Sequence, residues 1–418
     1  MKKIVYNIEK SMEKEIDMSQ FIETLQPFLQ EAWKKAGFNE PTAIQTKAIS
    51  EILANKDVIG ESPTGTGKTL AYLLPVLNRI QPGPSHIQAV ILASSHELVM
   101  QIHGEIQTWS QGSGISSAAF IGGANMKRQL EKLKKRPNII VGTPGRLNEL
   151  IKMKKLKMHE VKTIVIDEAD QLFVPEHVQT VQQIVKMALS DRQILVFSAT
   201  VSERTKSLAK DMMNHPLEIE VGRDELPASK VEHVYIKSEA RDKVDVLRKL
   251  VRQEQMKALA FFKGIDTLIE FEEKLTFKRV EAGSLHSETK KEDRATTIKG
   301  FRKGDFPVLL ATDVAARGLD IKGLTHVIHI DVPQDADQYV HRSGRTGRSG
   351  AEGTVISLVT EREERNLKQI ARELQLSLVK KELYMGEIVD DGTKEQSRTA
   401  KKPSKKPFNK KKKQKGRM

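Results

Sequence analysis

The stretch Ser62-Pro63-Thr64-Gly65-Thr66-Gly67-Lys68-Thr69 limits what this chain can fold into more than any other. It follows a short apolar run at Val58 and Ile59 and opens the helical-looking run Leu70-Ala71-Tyr72-Leu73-Leu74. A glycine-rich turn between strand and helix directs backbone N–H groups at an anion by the helix N-terminus, and a triphosphate fits such a cradle. Lys68 adds a point charge for the outer phosphates, and the Thr69 hydroxyl suits Mg2+. The strict pattern G-x-x-x-x-G-K-[ST] is broken at its first position, where Ser62 stands. Alone, the stretch is also compatible with an ordinary glycine-rich turn.

The rest of the chain supplies the architecture such a loop needs. Apolar residues recur at helical spacing from Met18 to Ala36, and Gly37 reads as a C-cap. A second helix follows Pro41-Thr42, capped by Thr42 or Asn39. Strands are predicted at 89–93, 118–121, 138–141, 163–166 and 193–197, each a nearly continuous apolar run. Such runs imply a parallel sheet covered on both faces, and ligands of open α/β sheets bind beyond the carboxyl ends of the strands. The pattern weakens around 214–230 and then resumes with strands at 258–262, 280–282, 308–311, 326–330 and 354–359. The second half has no Gly-Lys-Thr loop, so it is a second α/β domain that holds no triphosphate in the same manner.

At 418 residues two domains are the natural expectation. Of the net charge of +14, eleven charges fall between Arg398 and Met418, leaving +3 for the rest. The excess is therefore a tail property, fitted to tethering a polyanion or to solubility. Cysteine is absent, which excludes disulfides and thiol catalysis. No apolar run approaches a membrane span, and the charged N-terminus is unlike a signal peptide, so a cytoplasmic protein without membrane partners is expected.

Asp167-Glu168-Ala169-Asp170 follows an apolar strand, 99 residues after Lys68. One carboxylate there can hold Mg2+ through water, and its neighbour can orient or deprotonate the attacking water. Acidic residues at a helix start can also serve only as a cap. With the phosphate loop, Ser198-Ala199-Thr200 and His341-Arg342-Ser343-Gly344-Arg345-Thr346-Gly347-Arg348, the chain resembles the DEAD-box family of ATP-dependent RNA helicases over residues 18 to 375.

The resemblance implies two tandem RecA-like domains, each a mostly parallel sheet with helices on both faces, and a disordered basic tail. The expected bounds are 1–213 for the ATP-binding domain, with an adenine-reading segment at 18–46, then a linker at 214–230, a second domain at 231–380 and the tail at 381–418. The implied cofactors are ATP and Mg2+. Phe38 would stack on the base and Gln45 would read its edge. Ser62, Pro63, Thr64, Gly65, Thr66, Gly67, Lys68 and Thr69 would hold the phosphates, with Thr69 and Asp167 for the metal and Glu168 for the water. Gly318 and Asp320 would face the nucleotide, and Arg345 and Arg348 resemble arginine fingers. Asp170, Ser198, Thr200 and His341 would couple the halves, Ser198 and Thr200 through Asp170. RNA contacts are implied for Ser95, His96, Gly122, Gly123, Thr143, Pro144, Gly145, Arg146 and Thr312.

The implied function is ATP hydrolysis on domain closure, with local unwinding or remodelling of RNA. RNA and ribosomal particles are the implied partners of a monomeric chain. An ATP-gated clamp or scaffold with little unwinding would use the same residues, and a DNA translocase fits them less well. The chain departs from the family at several places. The common Pro-Thr-Arg-Glu-Leu segment is Ser94-Ser95-His96-Glu97-Leu98 here, Pro63 stands where many members have Gln, and Lys291 replaces a Gln. His96 therefore removes a fixed charge from the expected RNA path or makes it pH-dependent.

Overall fold

The computed structural model describes residues 22–391 except 39, 84–85, 223–224, 226–230, 254–255, 317–318, 320, 322, 348–350 and 385–386, and it leaves the Lys291 side chain undescribed. Gly318, Asp320, Arg348 and the lysine-rich run from Arg398 lie outside the described residues.

The first sheet contains strands β1 (Val58–Glu61), β2 (Ala89–Leu92), β3 (Ser117–Phe120), β4 (Ile139–Gly142), β5 (Thr163–Asp167), β6 (Gln193–Ser198) and β7 (Leu217–Glu220). Their spatial order is β3-β4-β2-β5-β6-β1-β7, and every pairing is parallel. The second sheet contains β8 (Val231–Lys237), β9 (Ala258–Phe262), β10 (Ala282–Leu285), β11 (Val308–Thr312), β12 (His326–His329), β13 (Gly353–Val359), β14 (Leu378–Tyr384) and β15 (Glu387–Asp390). Their order is β10-β11-β9-β12-β13-β8-β14-β15, parallel except for the final antiparallel pair. Counted from its own first strand, the second sheet repeats the order of the first and adds one edge strand.

Continuous apolar strands arise because both faces are covered. In β2, Ala89 and Ile91 join one core with helices Lys68–Arg79 and His96–Trp109, while Val90 and Leu92 join the other with helices Pro144–Lys152 and Val178–Lys186. In β9, Ala258, Ala260 and Phe262 face one side and Leu259 and Phe261 the other. The two-domain parallel α/β architecture read from the sequence is present.

Three expectations change. Strand β7 lies inside the stretch read as linker and pairs with β1. Only Ile219 of its four residues is buried, so no apolar run announces it. Strands β14 and β15 extend the second sheet to Asp390, into the stretch read as tail. Their lysines are satisfied locally, with Lys381 2.8 Å from Asp390 and Lys380 2.8 Å from Asp391, as suits a charged sheet edge. Strand β10 runs from Ala282, two residues later than expected, through a Gly-Ser pair that carries no apolar signal. A Cβ at Gly283 would lie 2.5 Å from the Phe306 ring, so the residue there must be small.

Candidate functional site

The strand order sorts the candidate residues. The segments expected at RNA follow β3, β4 and β2, which are neighbours on one half of the first sheet. The segments expected at nucleotide follow β5, β6 and β1, neighbours on the other half. The seam between halves is the β2·β5 pairing.

On the nucleotide half, Gly67 caps helix Lys68–Arg79 with φ 92°. A Cβ there would lie 2.5 Å from Gln45 Nε2, so glycine is required by both conformation and space. Ser62 and Thr66 join their hydroxyls at 2.6 Å, and Thr66 Oγ1 donates to the Pro63 carbonyl at 2.8 Å. The Lys68 ammonium donates to the carbonyls of Ser62 and of Pro63, the latter at 2.9 Å. The loop thus folds around its own lysine. Gln45 accepts from the Thr42 N–H at 3.0 Å and donates to the Gly67 carbonyl at 3.2 Å. Its carboxamide therefore ties the expected adenine segment to the phosphate loop. Phe38 is half-exposed and stacks on Trp109, with Trp33 edge-on at 5.3 Å; Gly37 before it caps a helix at φ 68°.

The acidic segment sits against this loop. Tyr72 donates to Asp167 Oδ2 at 2.8 Å, and Thr69 hydrogen-bonds Tyr72. Burial, then the neighbouring Glu168 charge, pushes the Asp167 carboxyl up to about 6, partly offset by Tyr72 and Lys68. Burial and the Asp167 charge push the Tyr72 hydroxyl far above its ordinary range. Sequence reasoning missed Tyr72, although it lies one turn beyond Lys68 and Thr69 on the same helix face. Glu168 adopts a left-handed backbone at φ 52°, which costs on the order of 1–3 kcal/mol for a non-glycine residue. Its N–H donates to Asp167 Oδ1 at 2.9 Å, and its carboxylate accepts from the Ser94 hydroxyl.

The donor set bears on Mg2+. Thr69 and Asp167 meet through the Tyr72 hydroxyl, and both offer hard oxygen atoms, which fit Mg2+. Among the described residues no group of three or more His, Cys, Asp or Glu could hold a metal by itself. That suits an ion bound mainly by phosphate oxygens and water.

Ser198 donates to Asp170 Oδ1, and Asp170 Oδ2 lies 3.3 Å from His341 Nε2 in the second domain. Thr200 stands beside Asp337 of the second domain, where its hydroxyl partly offsets the burial that raises the Asp337 carboxyl. Arg294 of the second domain meets Glu97 at 2.6 Å. A Cβ at Gly344 would lie 1.6 Å from Thr64 Oγ1, so the second domain approaches the phosphate loop too closely for any side chain there. Arg345 donates to the carbonyls of His341 and Leu319 within its own domain. Sequence reasoning missed Asp337, and it placed Glu97 in the segment expected at RNA without pairing it with Arg294, because the partners are distant in the chain.

On the other half, Ser95 caps helix His96–Trp109 by accepting from the Leu98 N–H at 3.1 Å. His96 is exposed, and its Nε2 comes within 3.6 Å of the point where a Gly122 Cβ would stand. Gly123 takes φ 66°. Thr143 and Pro144 open the next helix, and nothing crowds Gly145. Arg146 is buried and spends its guanidinium on the Ala124 carbonyl at 3.3 Å and on Glu149 at 3.0 Å. It braces the Gly122-Gly123 loop from beneath. Thr312 ends β11 in the second domain and is buried.

The sequence profile of the DEAD/DEAH box helicases matches residues 42–208, and that of the helicase conserved C-terminal domain matches 242–350. The chain is 56% identical over 358 residues to a probable ATP-dependent RNA helicase, YfmL, of Bacillus subtilis, covering 86% of this chain and 95% of that protein. It is 52% identical to the DEAD-box ATP-dependent RNA helicase CshC of Bacillus cereus, covering 92% and 98%. Among solved structures, S. cerevisiae Dbp5 bound to RNA and ADP BeF3 superposes with a TM-score of 0.80 at 28% identity, covering 90% of this chain and 97% of that one. Mss116p bound to ssRNA and AMP-PNP gives 0.79 at 26% identity, covering 89% and 80%. Both likenesses span the two RecA-like domains. No helix among the described residues is long and apolar enough to cross a membrane.

Proposed function

This chain belongs to the DEAD-box family of ATP-dependent RNA helicases, and we propose that it grips RNA without sequence preference across both domains, hydrolyses ATP when they close, and uses closure to open short duplexes. The carrying observation is the meeting of the two domains at the acidic segment, with His341 3.3 Å from Asp170, flanked by the Thr200–Asp337 and Glu97–Arg294 contacts.

In this reading the loop from Ser62 to Thr69 turns its backbone N–H groups and Lys68 to the phosphates. Phe38 and Gln45 take the adenine base. Thr69 and Asp167 would hold Mg2+, which supplies neutralising charge on the phosphate oxygens. Glu168 orients the attacking water and accepts its proton. Arg345, with Arg348, stabilises the charge that develops on the γ-phosphoryl group, and closure brings them to it. Ser95, His96, the 122–123 loop and residues 143–145 contact RNA phosphates and 2′-hydroxyls, with Arg146 holding the Ala124 carbonyl behind them and Thr312 joining across the cleft. Dbp5 and Mss116p carry RNA and a nucleotide analogue together in their solved structures, which supports joint occupancy here. Each ligand then favours the closed state, so their affinities are reciprocally coupled.

The test is ATP hydrolysis with and without single-stranded RNA, with matched DNA as competitor, for the parent and Glu168→Gln. RNA should stimulate the parent, DNA should compete poorly, and Glu168→Gln should lose about 10²-fold or more in kcat. Equal rates with and without RNA, together with an active Glu168→Gln, would refute the reading.

A further inference from the structure

Residues 94 to 97 send consecutive side chains to four different places. Ser94 donates its hydroxyl to Glu168 Oε2. Ser95 caps the following helix. His96 stands beside Gly122, and Glu97 pairs with Arg294 of the other domain at 2.6 Å. Ser94 lies at the seam of the first sheet, where β2 and β5 pair. It therefore links the half expected at RNA to the half expected at nucleotide.

The family's common residue at this position is proline, which has no donor. The Ser94–Glu168 bond is thus one that a proline in its place could not make. Glu168 has reason to need it. Its backbone is held left-handed and its side chain is only half-buried, so packing alone does not select a rotamer. A hydrogen bond to an ionised carboxylate is among the stronger ones, and it fixes one oxygen in direction.

We propose that Ser94 is a positioning residue for hydrolysis: its hydroxyl holds Glu168 Oε2 and so aims Oε1 at the attacking water. The inference rests on the hydrolytic reading of Glu168. Because the same short segment carries His96 and Glu97, RNA binding and domain closure both bear on the placement of Ser94. No group passes through Ser94; the proton of the water goes to Glu168, and the serine keeps its own.

The test is steady-state ATP hydrolysis at saturating RNA for the parent, Ser94→Ala, Ser94→Cys, Ser94→Thr and Glu168→Gln. Ser94→Ala should lower kcat about tenfold with KM for ATP, RNA affinity and melting temperature unchanged. Ser94→Cys keeps the volume with a poor donor and should match Ser94→Ala. Ser94→Thr retains the hydroxyl and should restore at least half the parental kcat. A parental kcat in Ser94→Ala and Ser94→Cys, or a Ser94→Thr as slow as they are, would overturn the inference while leaving Glu168 in place. A fully active Glu168→Gln would instead remove the hydrolytic reading beneath it.

Discussion

The two sheets share one strand order, yet they treat the same lysine position in opposite ways. Lys68 is the first residue of the helix after β1, and Lys243 is the first residue of the helix after β8, the corresponding strand. Before Lys68 the chain makes a loop with two left-handed glycines, Gly65 at φ 82° and Gly67 at φ 92°, which leaves N–H groups for an anion. Before Lys243 it makes a 3-10 turn, Ala240–Asp242, without glycine. Lys243 is buried, 2.7 Å from the Ile330 carbonyl and 2.8 Å from Glu363. The protein supplies its own anion there. A shared topology delivers a lysine to the end of the first strand; the turn before it and the carboxylate beside it decide between binding a ligand and holding the fold.

Exchanging the lysines for alanine gives the sharpest break in this comparison. Lys68→Ala should lower kcat/KM for ATP by about 10²-fold or more, with little change in unfolding free energy. Lys243→Ala should do the reverse. It should cost about 2–3 kcal/mol in urea unfolding, below the ~3–5 kcal/mol of a fully buried pair because the Glu363 side chain is 29% exposed. Hydrolysis at low temperature should be nearly parental. Equivalent phenotypes would end the distinction between the two positions.

A smaller effect is expected from Gly67→Ala. The left-handed backbone costs about 1–2 kcal/mol for alanine, and the new Cβ presses on Gln45 Nε2. KM for ATP should rise about tenfold, since 1.4 kcal/mol is a factor of ten. The same change at Gly264, which opens the helix after β9 with room for a side chain, should be nearly silent in both assays.

The smallest effect concerns acid. His329, fully buried in the second sheet, holds Ser357 at 3.0 Å through Nδ1. Burial, with Arg342 and His233 nearby, keeps its pKa well below the ordinary 6.5. The unfolded chain takes up a proton there that the folded chain refuses, so stability is full above 6.5 and is lost as pH falls below it. Between pH 6.5 and 5 the loss should be about 1–2 kcal/mol by urea midpoint. His329→Asn should flatten most of that slope, while His103 and His326, also held down by burial, keep a remainder.

What was legible in the sequence was local. The loop from Ser62 to Thr69, the acidic segment at 167–170 and the Gly37 cap are contiguous, and each carries a chemical pattern of its own. The apolar strands were legible because two covered faces leave no polar positions. Strand β7 was not, because three of its four residues face water. The bond between Ser94 and Glu168 spans 74 residues, and that between Tyr72 and Asp167 spans 95. Only the fold brings these partners together. Lys243 gave no signal at all, because a buried lysine is recognised only by the carbonyl and carboxylate that surround it.

The aromatic group around Phe38 has an optical consequence. The chain contains two tryptophans, Trp33 and Trp109, and their rings lie 6.2 Å apart on either side of the Phe38 contact. Both chromophores therefore report on one aromatic cluster of the first domain, and the second domain contributes no indole emission. If a base stacks on Phe38 as proposed, both indoles should respond together, and the native fluorescence would follow the event without a label.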